Sequence, residues 1–76
     1  MNKIIITGNV VRDNDVKDTT TTKVLKNTLA VKREFKKDET DFINIVAFSK
    51  TAELIAKYTQ KGSKLMVEGS IQCFLQ

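Results

Sequence analysis

The clearest pattern in the chain is Asp41–Ser49, Asp-Phe-Ile-Asn-Ile-Val-Ala-Phe-Ser, which alternates without a break. Successive side chains of a strand face opposite sides, so Ile43, Ile45 and Ala47 share one face and Phe42, Asn44, Val46 and Phe48 the other. The first set suits a core. The second carries a ring at each end and an amide between them. On the pattern alone two readings stay open. Either both faces are buried and the phenylalanines are ordinary core, or the second face is exposed and its rings are a platform for stacking.

Three more strands follow from the same alternation. In Asn2–Val11, Ile4, Ile6 and Val10 share a face with Gly8 in register, and a glycine inside a strand often marks a bend or a close backbone approach. In Lys23–Phe35, Leu25, Leu29 and Val31 line up with Asn27, while Lys26, Thr28, Ala30 and Lys32 oppose them. A buried amide is costly unless it is hydrogen-bonded, which suggests that Asn27 sits at the rim of the core. In Lys64–Gln72, Leu65, Val67 and Ile71 oppose Lys64, Met66, Glu68, Ser70 and Gln72. Thr51–Lys61 has helical spacing instead, with Ala52, Leu54, Ile55 and Tyr58 apolar. The Leu54–Tyr58 spacing predicts a packed stripe with Tyr58 in the core, and Glu53 and Lys57 stand in the favourable i,i+4 order. Ser49 or Thr51 is the expected N-cap, with Gly62 at the C′ position. Arg12–Thr22 is a polar connection of Asp, Asn and four consecutive threonines, read as a solvent-facing hairpin. The fold class is all-β with one short helix.

Composition narrows the function. Seventy-six residues make one small domain with a thin core. Thirteen Lys+Arg against nine Asp+Glu give a charge of +4, which favours a polyanionic partner without naming one. Six of the fifteen residues in Lys23–Lys37 are basic and one is acidic, and Phe35 lies among Lys32, Arg33, Lys36 and Lys37. With no histidine and the single Cys73, neither a Ser–His or Cys–His nucleophile nor a Cys/His zinc cluster can be built, and a disulfide within the chain is excluded. No Walker loop or dinucleotide fingerprint is present. Asp13, Asp15 and Asp18 lack the glycine and terminal glutamate of a calcium loop. No enzyme activity, metal or cofactor is expected. No apolar run approaches the roughly 20 residues of a spanning helix, and Ile4–Ile6 is too short for a signal-peptide core, so the chain reads as intracellular, with no membrane partner.

Four pieces, in order, resemble the bacterial and phage single-stranded DNA-binding proteins of the OB-fold type. They are the N-K-x-x-x-x-G-N opening (Asn2–Asn9), the T-L-A-V strand (Thr28–Val31), the D-F-x-x-x-x-x-F strand (Asp41–Phe48) and the K-G-x-x-x-x-V-E-G-x-I-Q turn and strand (Lys61–Gln72). The resemblance covers Met1 to about Gln72. It implies an OB-fold Greek-key barrel, and four strands plus a helix leave that barrel without its fifth strand. It also implies one domain over residues 1–76, ending before the final hairpin, the fifth strand and the acidic tail that family members carry. Phe35, Phe42 and Phe48 match the family's stacking aromatics, and Asn44 and Lys50 line the same surface. An aromatic is expected near position 76, where Gln76 stands. With Lys3, Lys32, Arg33, Lys36, Lys37 and Lys61 these residues make the candidate nucleic-acid surface. The resemblance further implies sequence-tolerant binding of single-stranded DNA in replication, recombination and repair, a homo-oligomer, and a cytoplasmic, nucleoid-associated setting with replication and repair proteins as partners. The alternatives are an OB-like assembly module with an incomplete groove, or single-stranded RNA binding.

Overall fold

A computed structural model describes residues 2–36 and 38–72. It contains five antiparallel strands, β1 (Ile4–Val10), β2 (Asp15–Asp18), β3 (Lys23–Lys32), β4 (Thr40–Phe48) and β5 (Lys64–Gly69), with helix α1 (Ser49–Tyr58) between β4 and β5. β3 is the centre of the sheet. Along one edge it pairs with β4 in unbroken register, from Val24 opposite Phe48 to Lys32 opposite Thr40. Along its other edge it pairs with the end of β1, Asn9 opposite Ala30 and Val10 opposite Leu29, and then with β2, from Asp15 opposite Lys26 to Asp18 opposite Lys23. β1 carries β5 on its far side, from Ile4 opposite Gly69 to Asn9 opposite Lys64.

The strands form where alternation predicts them, with shifted ends: β1, β3 and β5 are shorter than expected, and β4 starts and stops one residue early. They number five rather than four because part of the polar Arg12–Thr22 connection pairs with β3. Thr19 and Thr22 close that hairpin: the Thr22 N–H donates to the Thr19 hydroxyl at 3.0 Å, and the Thr19 N–H to the Thr22 carbonyl at 2.7 Å. β1 and β2 follow each other along one edge of β3, separated by a bulge. From Val10 to Asp15 the chain advances five residues while β3 advances three, from Leu29 to Lys26, so two residues are extra.

Asn27 fills that bulge, and it is not at a rim: it is 2% exposed. Its amide donates to the Arg12 carbonyl at 3.0 Å and to Asn14 Oδ1 at 2.7 Å, and its own oxygen accepts the Thr28 N–H at 2.7 Å. Asn14 in turn donates to the Thr59 carbonyl and hydroxyl at 3.2 and 3.1 Å. The amide that looked like a departure from an apolar line is a satisfied buried group tying the bulge to the end of α1.

The core is small. Leu25, Ala47, Ala52 and Ile55 form its centre, with Ala56 and Leu65 against them and Val10 and Leu29 also buried. Ile43 and Ile45 are only half-buried, and Ile71, expected inside, is exposed beyond the end of β5. Among the described residues β4 and β5 do not pair, so the barrel is open between them. Gly8 is required where β1 crosses β3, because a Cβ there would lie 2.7 Å from the Ala30 carbonyl oxygen.

The helix differs from expectation in its span, both caps, its inward face and its surface pairing. It spans Ser49–Tyr58 rather than Thr51–Lys61, and Phe48 occupies the N-cap without a side-chain bond. Ser49 lies inside the first turn with φ of 54°, and its hydroxyl bonds to that of Thr22 at 2.6 Å. Thr59 is the C-cap. Gly62 falls instead in the Gln60–Ser63 turn, where φ of 92° needs glycine and its N–H donates to the Val10 carbonyl at 2.8 Å. The inward face is Ala52 and Ile55, so Leu54 is exposed and Tyr58 is 70% exposed rather than core. Ala52 and Ile55 pack with Leu25 and Ala47, with Ala56 against them, and the Leu54–Tyr58 stripe is left outside. Lys57 stands over the Tyr58 ring, 5.3 Å from its centre, and forms no ion pair with Glu53 among the described residues.

Candidate nucleic-acid interface

The structure exposes the second face of Asp41–Ser49 rather than burying both. Ile43, Ile45 and Ala47 turn toward the core, while Phe42, Asn44, Val46 and Phe48 are all exposed. Phe42 is 66% and Phe48 58% exposed, so neither ring is an ordinary core residue. Directly opposed residues of paired strands share a face. Phe42 therefore lies beside Ala30, Asn44 beside Thr28, Val46 beside Lys26, and Phe48 beside Val24. Lys32, opposite Thr40, extends the same face. The face continues across the sheet: Ala30 is opposite Asn9, and Asn9 is opposite Lys64. The row Phe42–Ala30–Asn9–Lys64 thus crosses four strands and ends on a cation.

Phe35 stands at the β3–β4 turn and is 95% exposed. With Arg33, Glu34 and Lys36 it lines a shallow open hollow. Arg33 clamps the hairpin below it. Its Nε and Nη2 donate to the two oxygens of Asp41 at 3.0 and 2.9 Å, and Nη1 to Glu39 at 2.6 Å. The hydrogen bond and the charge of Arg33 hold the Asp41 carboxyl below its ordinary range, and the Asp41 carboxylate raises the Arg33 guanidinium in return. The Arg33 N–H also donates to the Glu39 carbonyl at 3.2 Å.

The nominated cations fall into distinct groups. Lys32 and Lys50 make no ion pair among the described residues, the first on the aromatic face and the second just after Phe48. Lys61 is also free of ion pairs there, but sits in the Gln60–Ser63 turn beside Val10. Lys3 is held by Glu68 at 2.8 Å, and Lys36 is 3.9 Å from Glu39. Arg33 is paired twice. Lys37, Cys73, Phe74, Leu75 and Gln76 lie outside the described residues. Two cations not nominated from the sequence, Lys26 and Lys64, share the aromatic face. Each was on the polar side of its own strand, but only pairing shows that the polar sides of three strands join.

The sequence profile described as "Single-strand binding protein family" matches residues 1–74. The chain belongs to the single-strand binding protein family. Among curated relatives, it is 46% identical to a single-stranded DNA-binding protein of Clostridium perfringens over 74 residues, covering 95% of this chain and 49% of the relative. It is also 46% identical to single-stranded DNA-binding protein 3 of Clostridium acetobutylicum over 77 residues, 95% of this chain and 54% of the relative. A single-stranded DNA-binding protein of Fusobacterium nucleatum is 39% identical over 79 residues, 95% of this chain and 51% of the relative. The chain spans about half the length of the curated relatives it matches. The family's OB-type fold agrees with an antiparallel sheet of five strands and one short helix, here not closed. No described helix is long and apolar enough to cross a membrane.

Proposed function

We propose that this chain forms one OB-type domain that binds single-stranded DNA with little regard to sequence. It would act as a binding module rather than a catalyst, serving replication, recombination and repair in a bacterial or phage-infected cytoplasm. The observation that carries this reading is the exposed row of Phe42 and Phe48 beside Lys26 and Lys32, which have no competing ion pairs among the described residues. Every base has a π-face, so stacking on Phe35, Phe42 and Phe48 is worth roughly 1–3 kcal/mol per base whatever the sequence. A duplex hides those faces, which gives strand selectivity. Lys26, Lys32, Lys50, Lys61 and Lys64 supply phosphate contacts, with Lys36 and Lys37 close to Phe35 in sequence. Lys3 and Arg33, already paired with carboxylates, contribute less. The names of the relatives, single-stranded DNA-binding proteins, support DNA as the strand.

Fluorescence anisotropy with labelled oligo-dT, duplex DNA and single-stranded RNA, repeated over salt, tests this. Oligo-dT should bind best, with a log–log salt slope of about −0.7 per phosphate neutralised. Equal or better affinity for duplex would refute the stacking reading, and tighter RNA binding would change the substrate. We also infer that copies associate. Among the described residues β4 and β5 each leave an edge unpaired, a template for strand pairing, and Ile5 and Met66 are large exposed apolar residues on the sheet face. Light scattering over a dilution series should give a mass above one chain, and a strict monomer throughout would refute association.

A further inference from the structure

Asn44 does more on the aromatic face than fill space between rings. It lies directly opposite Thr28, whose hydroxyl donates to Asn44 Oδ1 at 2.9 Å. Thr28 is itself 8% exposed and fixed, because its N–H donates to the buried Asn27 amide oxygen at 2.7 Å. The Asn44 oxygen is therefore held toward β3. Its Nδ2 has no acceptor among the described residues, and the residue is exposed between Phe42 and Val46. A shallow open depression beside it is lined by Arg12, Lys26, Asn27, Asn44, Ile45 and Val46. Arg12 and Lys26 make no ion pair among the described residues.

We propose that this depression is a base-edge subsite in which Asn44, oriented by Thr28, donates to a carbonyl oxygen of a stacked base, favouring thymine over adenine. The inference rests on the single-strand reading above and refines it: stacking gives tolerance, and this one donor gives a tilt. An asparagine that recognises adenine offers its oxygen and its amide hydrogens together, to N6–H and N7. Here the oxygen already accepts from Thr28 and is turned toward β3, which weakens that two-point contact. The remaining amide hydrogens match carbonyl acceptors. Thymine presents two of these and no exocyclic amino group, whereas adenine presents an amino group and no carbonyl. Val46 supplies an apolar wall, and Arg12 and Lys26 stand at the rim to hold the phosphates flanking the base.

The test uses the chain as it stands, with labelled oligo-dT and oligo-dA of equal length, and reads the ratio of their affinities. Asn44→Ala should weaken oligo-dT binding roughly two- to tenfold, the worth of one hydrogen bond, while oligo-dA changes by less than about twofold. Thr28→Val keeps the shape of the side chain and removes the tether, so the oligo-dT to oligo-dA ratio should fall in the same direction. A purely structural role would weaken both oligomers together. Circular dichroism melts confirm that each variant is folded, and a variant that melts early is measured at lower temperature against wild type. An unchanged ratio in Asn44→Ala, with wild type binding oligo-dT, overturns this inference alone. A wild type that binds no single strand overturns the proposed function and this inference with it.

Discussion

Phe42→Ala separates the proposed stacking role from folding, because the ring is mostly outside the fold. With two thirds of the residue exposed, only about a third of its surface is covered by the protein. A phenylalanine presents about 200 Å², so the covered share is about 70 Å². At about 25 cal/mol per Å² its burial is worth at most about 1.7 kcal/mol. Truncating a fully buried phenylalanine costs about 3–5 kcal/mol, so folding should survive the change. Phe48, 58% exposed, follows the same arithmetic with a slightly larger covered share. Binding should suffer more: a lost stack is worth roughly 1–3 kcal/mol, or about five- to 150-fold in affinity at 1.4 kcal/mol per tenfold. Urea unfolding and an oligo-dT titration on the same preparations give both numbers. Leu25→Ala is the control, since Leu25 is 0% exposed in the centre of the core. It should cost about 2–5 kcal/mol of stability and leave the folded fraction's binding unchanged. The reasoning is refuted if Phe42→Ala loses 3 kcal/mol or more of stability while the remaining folded protein binds normally, or if binding does not change.

Asn27→Ala removes the partners of the Arg12 carbonyl, Asn14 Oδ1 and the Thr28 N–H. Stranding such buried groups should lower the unfolding free energy by about 1–3 kcal/mol in urea, and a change under about 0.5 kcal/mol, the size of an ordinary surface substitution, would show that the bulge holds without it. Asp41 has its folded-state pKa lowered by Arg33, so its contribution is fully present above the ordinary aspartate range and is lost as pH falls through the lowered folded value. The melting-temperature gap between wild type and Asp41→Asn should therefore close on acidification from neutral pH to below that value; a gap that stays constant would mean the carboxylate charge is not what clamps the hairpin.

Much of the fold was legible because strand alternation is a local property. Leu25, Asn27 and Leu29 on β3, and the two faces of β4, fall where the sequence pattern puts them. The features that were not legible depend on partners distant in sequence. β2 has no apolar pattern of its own; its four residues are all exposed, and it forms because β3 offers a free edge beside it. Asn27 looks out of place until Arg12, Asn14 and Thr28 are brought around it. Hydrophobicity alone pointed Leu54 and Tyr58 inward, but the contact of α1 with the sheet turns Ala52 and Ile55 into the core with Leu25 and Ala47. Counting charges placed Arg33 among the phosphate ligands, yet the turn folds Glu39 and Asp41 onto it. Lys26 and Lys64 reach the aromatic face only through registers that no single segment encodes.

The same registers tie the proposed binding face to the open side of the barrel. The aromatic row lies on β4, which is paired along one edge with β3 and has no partner along the other among the described residues. A strand added to that free edge would stand about 4.8 Å from β4, and its outward side chains would lie beside Phe42, Asn44, Val46 and Phe48. The added strand would also cover the flank of Ile43 and Ile45, which are only half-buried. Closing the edge and widening the stacking surface are therefore one structural event, whether the strand comes from the same chain or from another copy. Affinity for single strands and resistance to unfolding should accordingly rise together when β4 gains a neighbour, although the two properties depend on opposite faces of the strand.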